Sequence, residues 1–114
     1  MVRWLALPLH AVWCRNEAHD PDFFELLLNE MDAGQFRFRR APSVTLPRAR
    51  MSFESAGGLP VLAPEIVLLY KSNGPEESEA DFRHAAPALS GEARAWLKGA
   101  LDTVSPGHHW AGEL

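Results

Sequence analysis

A carboxylate set among phenylalanines and leucines is the sharpest chemical signal in this sequence of 114 residues. Glu25 sits in the run Phe23-Phe24-Glu25-Leu26-Leu27-Leu28-Asn29-Glu30, and as a strand this run is apolar on both faces. An ionised carboxylate in such surroundings is costly unless something compensates its charge. The candidates are a metal ion, which would make Glu25 a metal ligand, and the guanidinium of Arg37 or Arg39, which would make it structural. Asp20-Pro21-Asp22 offers two further carboxylates at the spacing that Mg-dependent enzymes use. The intervening proline and the turn context favour simple turn chemistry there.

Cations come next. Arg37, Arg39 and Arg40 interleave with Phe36 and Phe38, a pattern compatible with stacking and phosphate contacts on single-stranded nucleic acid. Strand alternation explains it more simply, with phenylalanines in a core and arginines in water, and leaves a nucleotide phosphate contact by Arg37 or Arg39 open. Lys71 ends an apolar helical stretch and Asp81 opens the next. They suit an ion pair or a snorkelling lysine, and equally a compact charge aimed at a triphosphate. The histidines at 10, 19, 84, 108 and 109 have no cysteine or carboxylate at ligand spacing, so surface placement is expected. Cys14 is alone, which excludes an internal disulfide and a multi-cysteine zinc site. No nucleophile elbow, P-loop or dinucleotide fingerprint is present.

The elements that must position these groups change period midway. Residues 9–14 alternate as a strand, Phe23–Glu30 reads as a central strand, and Asp32-Ala33-Gly34 turns into Gln35–Arg40 with Phe36 and Phe38 on one face. Pro42 and Pro47 bracket another extended piece, and Met51-Ser52-Phe53 adds a strand before Gly57-Gly58. Pro64 then opens a helix that Asn73-Gly74 stops. Ser78-Glu79-Ala80-Asp81 has the form of a capping box for a second helix, which Pro87 ends. A third starts at Ser90-Gly91-Glu92, carries Ala93, Trp96, Leu97, Ala100, Leu101 and Val104 at helical spacing, and ends at Pro106-Gly107. The expected class is α+β in a single domain. A strand-rich half over 1–62 forms a mixed or antiparallel sheet of three to five strands, and the helical half over 63–114 packs three helices on it.

Composition narrows the function classes. The chain is 46% hydrophobic and 23% charged, with net charge −4. Residues 1–50 carry seven basic side chains against six acidic ones, and residues 51–114 carry four against nine. Neither half suits neutralisation of a DNA backbone. No apolar run reaches the ~20 residues of a bilayer span, and the opening MVRWLALPLHAVW lacks a small-residue cleavage site. Cytoplasmic residence without membrane association is the default expectation.

Taken in order, several blocks resemble bacterial aminoglycoside-nucleotidyltransferase-like proteins of the polymerase-β-type superfamily. They are His10–Arg15, Phe24–Glu30, Phe36–Arg40, Leu59–Lys71, Glu79–Phe82 and Pro106–Trp110. The Leu62-Ala63-Pro64-Glu65…Tyr70-Lys71 and Glu79-Ala80-Asp81-Phe82 blocks are the most specific. The resemblance implies an incomplete nucleotidyltransferase-like fold. Family members open with a glycine-containing turn and helix, then a strand bearing an Asp-x-Asp pair. The present sequence aligns downstream of both.

By the same resemblance Glu25 takes the position of the third carboxylate, and Lys71 becomes a nucleotide contact. The Lys-Asp pair usual before Glu79 is replaced by Glu76-Glu77-Ser78. One carboxylate cannot hold two metal ions within ~4 Å of each other for in-line attack on a phosphate. The expectation is therefore a chain inactive alone in nucleotidyl transfer, with no cofactor of its own and at most weak nucleotide binding. Mg and ATP would be used only if a partner or upstream sequence completed the site. An unpaired sheet edge would favour homo-oligomers, with a dimer the simplest case. The competing reading is a non-catalytic, homo-oligomeric binding or interaction module.

Overall fold

In a computed structural model that describes residues 11–15, 17–18, 23–27, 30–74 and 76–114, the chain is α+β. β1 (Ala11–Arg15) and β2 (Phe23–Leu27) form an antiparallel ladder that sets Trp13 opposite Glu25. The Asp20-Pro21-Asp22 turn lies outside the described residues, as do Leu28 and Asn29. The two parts described of the strand expected over Phe23–Glu30 have different partners, Phe23–Leu27 pairing with β1. Glu30–Asp32 is a separate strand, β3, paired with β4 (Gln35–Arg37). Among the described residues β2 has β1 as its one neighbour, where its two apolar faces suggested a central strand.

The β3–β4 hairpin turns through Ala33 and Gly34, at φ 51° and 75°. Positive φ at both central residues is the mirror-image turn whose twist matches paired strands. β5 (Thr45–Pro47) joins the other side of β4, placing Phe36 against Leu46, both fully buried. Phe38 is fully buried as well, while Arg37 and Arg39 are half-buried, so the alternation holds. The outer edge of β5 is guarded. Pro47 has no N–H to offer, and the Trp96 indole donates to the Thr45 carbonyl at 2.8 Å.

A single helical turn, α1 (Arg48–Met51), displaces Met51 from its expected strand. The extended backbone resumes one residue later as β6 (Ser52–Glu54), which pairs with β7 (Pro60–Leu62) in a third ladder. Among the described residues the strands lie in three small antiparallel sheets of two, three and two strands, where the sequence suggested one sheet.

The helices follow the sequence closely. α2 (Pro64–Lys71) has proline at its first position and buries Ile66, Leu68 and Leu69. It ends where the Ser72 hydroxyl donates to the Leu69 carbonyl at 2.7 Å and the Gly74 amide to the Lys71 carbonyl at 2.9 Å. A Cβ on Gly74 would come within 2.7 Å of the Ser78 hydroxyl and 3.0 Å of the Lys71 carbonyl, so a larger residue would force both to shift. The capping-box reading is corrected by the start of the next helix. α3 spans Glu77–Ala85, Ser78 is buried inside its first turn, and Glu76 at the N-cap makes no side-chain cap bond.

A short 3₁₀ turn at Ala86–Ala88 absorbs Pro87. α4 (Gly91–Val104) starts with the expected Ser90 cap, whose hydroxyl accepts from the Ala93 amide at 3.1 Å. Ala93, Leu97, Ala100 and Leu101 are its buried stripe. A second 3₁₀ segment, His109–Glu113, closes over the helices and buries Trp110. Among the described residues no helix is long and apolar enough to cross a membrane.

Candidate functional site

Lys71 stands at the last turn of α2, and α3 brings Asp81 to it: Nζ and Oδ2 are 2.8 Å apart, with both side chains about half exposed. The ion-pair alternative for Lys71 is the one the structure contains. The pair forms part of the rim of a groove of about 360 Å³. Phe53, Val61 and Leu62 of the β6–β7 hairpin make one wall, Val67 and Leu68 of α2 another, and Ala85 of α3 closes the third side. His84 joins the rim. The interior is thus hydrocarbon with three titratable side chains at its border, and its volume lies within the ~300–1,000 Å³ of ordinary ligand clefts.

The wall on the hairpin side is unusual. Phe53 is 51% exposed, Val61 39%, and Leu59 at the hairpin turn 67%. A two-stranded hairpin has little stability of its own in water. This one is tied at its base by the Ala63 amide donating to the Met51 carbonyl at 2.8 Å. Apolar area is therefore presented to solvent on a small, well-anchored platform.

A second cluster lies on the neighbouring turn of α3. One oxygen of Glu79, Oε1, accepts from the Trp110 indole N–H at 3.0 Å and from His109 Nε2 at 2.5 Å. The indole hydrogen bond first, and then the His109 contact, holds the Glu79 carboxyl below its ordinary value. His108 takes its proton on Nε2, which donates to the Ser72 carbonyl at 2.7 Å, while Nδ1 accepts from the Trp110 amide at 3.1 Å. Trp110 stacks on Phe82 with ring centroids 4.4 Å apart. His109 is largely exposed, but His108 is wedged against the helices, a correction to the surface placement expected of both.

The carboxylate–imidazole pair of Glu79 and His109 resembles the orienting half of an acid–base system. The indole shares the same oxygen, and the cluster fastens the C-terminal segment to α3. Sequence reasoning missed this role, because Glu79 looked like a member of a helix cap. Glu65, 6% exposed in the first turn of α2, was also missed. It stands where free backbone N–H groups and the helix dipole favour a carboxylate.

The other sequence candidates lie elsewhere. Arg37 donates to its own loop, to the Pro42 carbonyl at 2.8 Å. Arg39 and Arg40 lie near Tyr70, with Arg40 over the ring at 5.8 Å from its centroid. Burial of the Tyr70 phenol raises its pKa, and the two guanidiniums partly oppose that. None of the three arginines lines the Lys71 groove. The backbone register of Glu25 is set, but its side chain lies outside the described residues. No group of three or more metal-ligating side chains occurs among the described residues. Comparison of the chain with protein-family models, curated proteins and solved structures finds no match.

Proposed function

We propose that this chain is a nucleotidyltransferase-like domain that acts as a binding module and does not catalyse nucleotidyl transfer by itself. The observation that carries the reading is the Lys71–Asp81 pair on the rim of a hydrocarbon-lined groove. A lysine that serves a triphosphate must offer uncompensated charge. Here a carboxylate already holds it at 2.8 Å, and the adjoining surface suits an apolar partner. The excess of acidic over basic side chains in residues 51–114 disfavours a polyphosphate further. Three of the six blocks that carry the family resemblance meet in space, through Lys71 with Asp81, Glu79 with Trp110, and Phe82 with Trp110.

The test is calorimetric titration of ATP, with and without Mg, into the purified chain, alongside an assay for ATP-dependent labelling of an aminoglycoside. No labelling is expected, and nucleotide affinity no better than about millimolar, where the binding free energy is only ~4 kcal/mol. A second reading, a retained nucleotide site, draws on one observation: the groove is large enough for a nucleotide and has Lys71 at its rim. Micromolar ATP binding abolished by Lys71→Ala would select it and overturn the module reading.

A further inference from the structure

We propose that His108 is a proton-operated latch: its neutral ring fastens the closing turn His109–Glu113 to the helices, and a proton added to that ring releases the turn. The device goes beyond the binding-module reading and does not depend on it.

Both ring nitrogens of His108 are committed to backbone groups that act in one direction only. The Pro106-Gly107 turn, with Gly107 at φ 82°, delivers the residue to the end of α2. There Nε2 donates to the Ser72 carbonyl at 2.7 Å, and Nδ1 accepts from the Trp110 amide at 3.1 Å as the N-cap of the closing turn. A carbonyl only accepts and an amide only donates, so a single neutral tautomer satisfies both. A second proton would go to Nδ1. It would turn the one acceptor on the ring into a donor facing another donor, and the cap would be lost.

His109 is placed the opposite way. Its ring is stacked on that of His108, with centroids 4.7 Å apart and planes 12° apart, but its Nε2 meets Glu79 Oε1. A carboxylate oxygen suits a protonated imidazole. The first proton to enter the stack therefore belongs on His109, where it strengthens the attachment of the turn. The second must go onto His108, beside a like charge, and breaks it.

The remaining charges nearby are already engaged. On α3, Arg83 acts on the same Glu79 carboxyl, and Asp81 is held by Lys71 of α2. α4 brings Arg94 to the Glu113 carbonyl at the far end of the turn. Glu79 is the carboxylate that meets the stack, and it meets it at His109. Release of the turn would wet Trp110 and Phe82, which are 1% and 3% exposed, and take the indole from Glu79. It would thus loosen α3, the helix that carries Asp81 to the groove rim.

The experiment is hydrogen exchange on the full chain between about pH 8 and pH 5, corrected for intrinsic rates, with nitrogen NMR of the imidazoles on the same protein. Exchange of the amides of residues 109–114 should quicken about tenfold or more, the factor carried by one lost cap, as His108 passes from one ring proton to two. The α4 amides should stay protected. Glu79 remains ionised across this interval, because its carboxyl is held below the ordinary value. His108→Asn keeps a side-chain oxygen for the Trp110 amide and has nothing to titrate, so it should abolish the pH step with the turn still docked. His109→Gln should keep the step. A His108 that gains its second proton while the turn stays protected overturns the inference. So does equal protection at both ends of the pH range, a step that survives in His108→Asn, or one that vanishes in His109→Gln.

Discussion

The indole of Trp110 donates a hydrogen bond to Glu79 at 3.0 Å across 31 residues of sequence, and the same carboxylate oxygen takes a second from His109. The two residues bind the C-terminal turn to α3, and with it the helix that holds Asp81 against Lys71. The end of the chain thereby helps set the geometry of the groove.

Because Glu79 titrates below its ordinary value in the fold, the ionised form is favoured by folding. Its contribution is fully present above the unfolded carboxylate pKa of about 4.3 and fades as pH falls through the lower folded value. Glu79→Gln keeps an oxygen for the indole but has nothing to titrate. Its melting temperature should lie below that of the parent at pH 7, and the gap should close as pH is lowered towards 3. An undiminished gap at pH 3 would show that the carboxylate charge plays no part.

Trp110 is 1% exposed and stacks on Phe82, so truncation leaves a large cavity and removes the indole donor from Glu79. Trp110→Ala should cost about 3–5 kcal/mol in chemical denaturation, enough to remove most of the stability of a small domain. A loss below about 1 kcal/mol would mean that the C-terminal turn is not integral to the core.

Trp96→Phe keeps the half-buried ring but removes the donor that occupies the Thr45 carbonyl. It should cost about 1 kcal/mol. Freeing this edge should also raise the rate of aggregation on mild heating, measured by light scattering. Unchanged aggregation would assign edge protection to Pro47 alone.

Ala33 holds φ 51°, where a Cβ is strained and asparagine is tolerated. Ala33→Asn should raise stability by about 0.5–1 kcal/mol, read from the denaturation midpoint at constant slope. A loss of stability would mean that the turn adopts another conformation in solution.

Legibility was uneven along the chain, for local reasons. The α4 stripe and the Phe36/Phe38 alternation repeat at the periods of helix and strand, so each residue pointed to its own surroundings. Two serine-led segments looked alike, yet Ser90 caps α4 and Ser78 is buried within α3. The difference lies in where each helix begins, for α3 starts at Glu77 and so takes Ser78 into its first turn. The two described ends of the strand expected over Phe23–Glu30 pair with different neighbours, a choice that propensity does not record.

Hydrophobic period, turn chemistry and proline placement were enough to specify an α+β chain, its three main helices and much of its core, because those signals act over a few residues. Which charges meet was settled by packing. Lys71 reaches Asp81, and Glu79 reaches Trp110, only because the helices and the closing turn are held against one another at one particular angle. The same holds for the groove and the exposed hairpin beside it. They are the space left between α2, α3 and a ladder that joined neither of the other sheets, and such a space exists only once the pieces are assembled.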